Sequence, residues 1–141
     1  MKDCYQDVLD FHTKFGCPTK DKPGCPTPDI VSLRRRLVFE EINELIDAID
    51  AADLAGIADS IVDSIYVLLG TAIVYGIDLC PVWDAVQAAN IAKVGGGKRD
   101  DGKIMKPPGW KPPDICAVLA AQGNSMKELI EHSKCRVGLS R

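Results

Sequence analysis

Residues 30–75, IVSLRRRLVFEEINELIDAIDAADLAGIADSIVDSIYVLLGTAIVY, decide the fold. In the first half, Val38, Ile42, Leu45, Ile46 and Ile49 fall on one face at a period of about 3.6 residues, which predicts a helix over 30–52. Asp53 can cap a second helix running to about Tyr75, where Gly76 is the expected C-terminal glycine. Ile57, Ile61, Val62, Ile65, Val67, Leu68 and Leu69 cover most of the circumference of this second helix, so it is expected to be buried almost all round. A chain with few helices has little surface to cover it, and another subunit is the expected cover.

Acids interrupt both helices. At about 100° per residue, Glu40, Glu44 and Asp47 share one stripe, flanked by Glu41. On the next helix Asp59 and Asp63 stand one turn apart, and Tyr66 and Gly70 continue their stripe. Like charges at this spacing repel by about 0.2–0.5 kcal/mol even when exposed, and burying an unpaired carboxylate costs far more. Something positive should face these side chains. An arginine from Arg34–Arg36 could pair with the aspartates as a structural salt bridge, or a divalent cation could sit between the two acidic stripes, as in other helical bundles. The set Glu40, Glu41, Glu44, Asp59 and Asp63 offers oxygen only, with no histidine nearby, which suits magnesium or manganese rather than zinc. A carboxylate left off the metal could activate a water for attack on phosphorus. The plainer alternative is a solvated acidic face.

Outward from this pair, residues 3–16 form an expected first helix with Tyr5, Val8, Leu9, Phe11, His12 and Phe15 as apolar material, ended by Gly16 and Pro18. A Pro- and Gly-rich loop covers 16–28. Pro81 suits the first turn of a helix over 81–93, making four main helices. Residues 94–114 hold five Gly and four Pro and cannot be helical. From Lys93 to Lys111 there are six basic residues (Lys93, Lys98, Arg99, Lys103, Lys106, Lys111) against Asp100 and Asp101, a local charge of +4 that could close over a polyphosphate. The organisation expected is a domain over 1–114, including the basic loop, and a tail over 115–141 with a short helix. In that tail Ser125 and Glu128 have capping-box spacing, with Leu129 and Ile130 able to pack.

Composition bounds the reading. The 141 residues are 46% hydrophobic, 26% charged and only 6% aromatic, which favours an all-α bundle over a β-sandwich. A net charge of −3 gives no pull toward a nucleic acid polymer or an anionic membrane. The N-terminal MKDCYQDVLDF has no basic segment followed by an apolar core. The nearly uncharged run from Ser64 to Ile77 is too short to span a bilayer. A cytoplasmic protein with free thiols is the expectation; none of the six cysteines forms a Cys-x-x-Cys pair. His12 and His132 read as surface or packing histidines, and Trp83 as core.

Taken in order, Leu-Arg-x-x-Leu at 33–37, Glu-Glu-x-x-Glu-Leu at 40–45 and Ala-Asp-x-x-x-Asp-x-x-Tyr-x-x-x-Gly at 58–70 carry a resemblance, followed by Gly-Ile-Asp at 76–78, Asn-x-x-Lys at 90–93 and Asp-Gly-Lys at 101–103. The series resembles the all-α nucleotide pyrophosphohydrolases, the MazG-like proteins and the related phosphoribosyl-ATP pyrophosphohydrolase-like group. The resemblance covers residue 5 to about 114. It implies hydrolysis of a nucleoside triphosphate to monophosphate and pyrophosphate, magnesium, and a homodimer or homotetramer whose helices complete the site. It implies metal-binding acids at Glu40 or Glu41, Glu44 and Asp63, and substrate contacts at Asn90, Lys93 and Lys103. Lys106 and Tyr66 are added as substrate candidates, and Glu41 and Glu44 as the catalytic carboxylates. Many MazG-type proteins place a Glu where this chain has Ser60, so Asp59 must serve in its stead, a spacing closer to the phosphoribosyl-ATP branch. Two alternatives remain beside nucleoside triphosphate hydrolysis: phosphoribosyl-ATP as substrate, or a catalytically silent helical binding module.

Overall fold

The computed structural model describes residues 2–123. Five helices follow in order: α1 Lys2–Phe15, α2 Pro28–Asp50, α3 Leu54–Tyr75, α4 Leu79–Ile91 and α5 Ile115–Ala120. No strand occurs among the described residues, and the protein is all-α as expected. A short helix, α5, opens the tail; the capping box of Ser125 and Glu128, with Leu129, Ile130 and His132, lies outside the described residues. One compact unit ends at Ile77 and a second begins at Asp78.

In the first unit α3 is the central element, with α1 and α2 packed on it. Its ends are fixed by the residues the sequence singled out. The Asp53 side chain accepts from Ala55 N at 3.1 Å, and Gly76 adopts φ 66°, its amide bonding back to the last turn. A side chain at Gly76 would collide with the carbonyl of Lys22. The loop between α1 and α2 supplies α3 with further partners: Lys20 N donates to Ile73 O at 3.2 Å and Gly24 N to Tyr75 O at 2.9 Å. Tyr75 O is a carbonyl that a helix end leaves open, and Ile73 O takes the Lys20 amide beside that of Gly76. α2 starts earlier than the periodicity indicated, because Pro28 is tolerated in a first turn whose N–H groups have no helical partner.

Burial differs from expectation in three places. On α2, Arg34, Leu37, Val38, Glu41, Leu45 and Ala48 form the half-buried stripe, while Ile42, Ile46 and Ile49, expected on the packed face, are exposed together with Phe39. On α3, Ser60, Ser64, Leu69, Gly70, Ala72, Ile73 and Val74 are buried, but Ile61, Val62, Ile65 and Leu68 are exposed. Among the described residues the helix is therefore not covered all round, and Asp59 and Asp63 are exposed, not buried. By length and composition alone its 22 residues could cross a bilayer, so the shortness of the Ser64–Ile77 run excludes nothing by itself.

The second unit packs α4 on α5. Asp78 caps α4 through Cys80 N at 2.9 Å, so the helix begins two residues before Pro81. Gln122 clamps Asp78, accepting from its amide at 3.0 Å and donating to its carbonyl at 2.9 Å. Trp83 is 57% exposed and is not core, contrary to expectation. The five described cysteines, Cys4, Cys17, Cys25, Cys80 and Cys116, are free.

Candidate active site

The acids are brought together by the register of α2 on α3. Arg34 lies level with Gly70, and Ala48 with Gly56, each pair in close approach. The two helices run antiparallel, so Glu41, midway between Arg34 and Ala48, comes level with Asp63, midway between Gly70 and Gly56. The electrostatics agree. Burial raises the Glu41 carboxyl above its ordinary value, and the neighbouring charges of Glu44, Asp63 and Glu40 raise it further. Glu41 is the half-buried member; Glu40, Glu44 and Asp63 are exposed around it.

Asp59 is exposed one turn before Asp63 and is not among the charges acting on Glu41. Ser60 is buried. Ser64 is buried beside it in sequence spacing, its hydroxyl without a hydrogen-bond partner among the described residues.

Arg34 does not pair with the aspartates. Its guanidinium donates to Thr71 Oγ1 at 3.1 Å and to the carbonyl of Val67, and burial lowers its pKa. His12 is 4% exposed, with Nδ1 3.0 Å from Pro18 O, which makes it a packing histidine. Tyr66 packs edge-on against Phe11 at 5.7 Å between centroids and stays part-exposed. Among the described residues the ion pair present is Arg99–Asp101, remote in sequence from the acids. The salt-bridge alternative for the acidic stripes therefore has no basis in these residues.

The donor set fits a hard cation: carboxylate oxygens only, crowded enough to perturb one of their number, and without an ion pair to any of them among the described residues. Among the described residues no three His, Cys, Asp or Glu side chains close on a single point as a ligand cage.

The second unit holds the basic residues. After α4 the chain makes a tight turn in which Lys98 bridges Ile104 in antiparallel fashion, Arg99 N donates to Lys103 O at 2.8 Å and Met105 N to Gly97 O at 3.1 Å. Glycine is required at 96, where a side chain would run into the Met105 carbonyl. Arg99 is engaged by Asp101, whose carboxyl is held below its usual range by that guanidinium and by the Lys103 amide. Lys98 and Lys103 have exposed side chains with no partner among the described residues. Lys93 donates to Asn90 Oδ1 at 2.7 Å, so Asn90 orients a lysine. Asn90, Lys93 and Lys98 share an open cavity with Ile91, Val94 and Ile104, of about 380 Å³.

One residue gained a role the sequence did not signal. Trp110 Nε1 donates to Ala89 O at 2.7 Å, and Lys106 and Lys93 place their ammonium groups 4.3 and 5.9 Å from its ring centroid. Nothing in a Pro-rich segment announces a partner 21 residues upstream.

Comparison with known proteins bears on the first unit and the start of the second. A family model described as phosphoribosyl-ATP pyrophosphohydrolase matches residues 8–90, which takes in all five acids and ends at Asn90. An uncharacterized protein of Acanthamoeba polyphaga mimivirus is 38% identical over 79 residues, 53% of this chain and 32% of that protein. The chain thus spans about a third of that relative's length.

Proposed function

We propose that this chain, which belongs to the phosphoribosyl-ATP pyrophosphohydrolase family within the MazG-like all-α superfamily, hydrolyses a nucleoside triphosphate to its monophosphate and pyrophosphate. Family membership supports pyrophosphohydrolase-type activity on nucleotides. The observation that carries the reading is that the charges of Glu44, Asp63 and Glu40 act together on Glu41, with no ion pair to any of the four among the described residues.

Glu40, Glu44 and Asp63 are the residues that would hold magnesium, or manganese, with Asp59 one turn away as a further oxygen donor. The ion, when bound, would offset phosphate charge and acidify a water. Glu41, the half-buried member of the group, is suited to take the proton of the attacking water. Glu44 orients the same water. Lys93, Lys103 and Lys106, in the second unit, would bind phosphates of the nucleotide, with Asn90 orienting Lys93.

A second substrate, phosphoribosyl-ATP, is favoured by the family model that matches and asks the same chemistry of the same residues. We further propose that a second copy of the chain covers the exposed stripe Phe39, Ile42, Ile46 and Ile49 with the exposed Ile61, Val62, Ile65 and Leu68, giving a homodimer or homotetramer. Sedimentation as a monomer at micromolar concentration and above would sink that assembly.

The deciding experiment is a screen of nucleoside triphosphates and phosphoribosyl-ATP with magnesium, read by pyrophosphate release. Turnover of one nucleotide that stops on chelation is expected. Absence of turnover, with no heat on magnesium titration, would leave a silent helical module.

A further inference from the structure

Trp110 stands at a junction that the proposed chemistry has not used. The indole N–H donates to Ala89 O in the last turn of α4. That carbonyl is one a helix end leaves open, because Lys93 N donates to Asn90 O instead. The indole therefore caps the helix and fixes the plane of its own ring. Against that fixed ring lie two ammonium groups, Lys106 Nζ at 4.3 Å and Lys93 Nζ at 5.9 Å from the centroid.

Two lysines left to themselves repel and sample many rotamers. A Trp ring attracts a cation through its quadrupole, more strongly than Tyr or Phe. Here one ring draws both cations to the same place, from opposite ends of a Gly-rich turn: Lys93 precedes it and Lys106 follows it. Lys93 is steadied further by Asn90 Oδ1 at 2.7 Å. An ammonium over a ring keeps N–H donors free for an anion, and Lys106 is exposed.

We infer that Trp110 is a positioning residue that gathers Lys93 and Lys106 into one seat for consecutive phosphates of the nucleotide. This deepens the proposed reading and rests on its assignment of these lysines to the phosphates. The ring does not touch the reacting atoms; it sets where two positive charges stand before the ligand arrives, which lowers the ordering cost of binding.

The test uses the full chain and inorganic tripolyphosphate as the probe, with affinity measured by calorimetry. Four variants are compared: Trp110→Phe, Trp110→Leu, Lys93→Met and Lys106→Met. Both tryptophan variants lose the bond to Ala89 O, so both should melt at a similarly lowered temperature. Only Trp110→Phe keeps an aromatic face. The expected result is that Trp110→Leu weakens tripolyphosphate binding about three- to tenfold while Trp110→Phe stays within about twofold of wild type, as the loss or retention of cation–π contacts predicts. With a nucleotide substrate, the Trp110→Leu effect should fall more on KM than on kcat. Equal weakening in Trp110→Phe and Trp110→Leu, following melting temperature, would reduce Trp110 to a helix cap and overturn the inference. Wild-type affinity in Trp110→Leu alongside weakened binding in the lysine variants would overturn it too, while leaving the lysines on the phosphates. Wild-type affinity in all four would remove the phosphate assignment itself, and the inference with it.

Discussion

The guanidinium of Arg34 occupies the space a side chain at Gly70 would need. A Cβ at position 70 would stand 3.0 Å from one terminal nitrogen of Arg34 and 3.0 Å from Nε2 of the buried His12. Arg34 crosses the gap between α2 and α3 to bond Val67 O and Thr71 Oγ1, and that crossing is open because residue 70 is glycine. Gly70→Ala should therefore destabilise the protein by about 1–3 kcal/mol, the usual penalty for over-packing a close contact. Urea denaturation measures it. A midpoint equal to wild type would show that the crossing tolerates a methyl group.

The raised Glu41 carboxyl gives the metal-free protein a pH signature. Burial and the charges of Glu44, Asp63 and Glu40 make the folded state bind the Glu41 proton more tightly than the unfolded chain does. The stabilisation from that proton is fully present below the ordinary Glu value of 4.5 and is lost as pH rises through the higher folded value. In chelator, Glu41→Gln should melt above wild type at neutral pH, and the gap should close on acidification. Paired melting curves across pH test this; a gap that does not change with pH would assign the difference to something other than repulsion.

Glu44→Gln and Asp63→Asn should each cut metal-dependent turnover by about 100-fold or more, the scale on which a general base or its equivalent contributes. Both side chains are exposed, so helical circular dichroism should not change. Near-normal turnover by either variant at saturating magnesium would take that residue out of the site.

Ala52, in the three-residue joint between α2 and α3 that ends in the Asp53 cap, has φ 52°. A left-handed conformation costs an L-residue about 1–2 kcal/mol, of which glycine's greater chain entropy returns part. Ala52→Gly should stabilise the fold by up to about 1 kcal/mol. An unchanged or lowered denaturation midpoint would refute it.

The helices were legible because their signals are local. Asp53 and Gly76 bound α3 where cap chemistry put them, and the acids of α2 and α3 fell on stripes that a helical wheel shows. The inner face of α2 was not legible. Hydropathy put Ile42, Ile46 and Ile49 inside, and the fold puts Arg34, Glu41 and Ala48 there, because an apolar stripe has the same pattern whether the chain's own core or another surface covers it. Arg34 was one of three arginines offered as an alternative partner for the aspartates; it is satisfied by a backbone carbonyl and a threonine, partners no charge pattern reveals. Trp110 and Ala89 meet across a turn whose geometry depends on glycine conformations at 95 and 97, with φ 86° and 72°. Spacing alone does not encode such a turn.

The strap between α1 and α2 has one more consequence. Its composition is that of a floppy connector, yet the amides of Lys20 and Gly24 are tied to Ile73 O and Tyr75 O at the end of the central helix. Exchange of those two amide hydrogens with solvent requires the strap to part from the last turn of α3, so they should outlast their neighbours in deuterated water and report on that docking. A protease aimed at this Pro- and Gly-rich stretch meets the same barrier at the two anchors: the strap must first lift from the helix end.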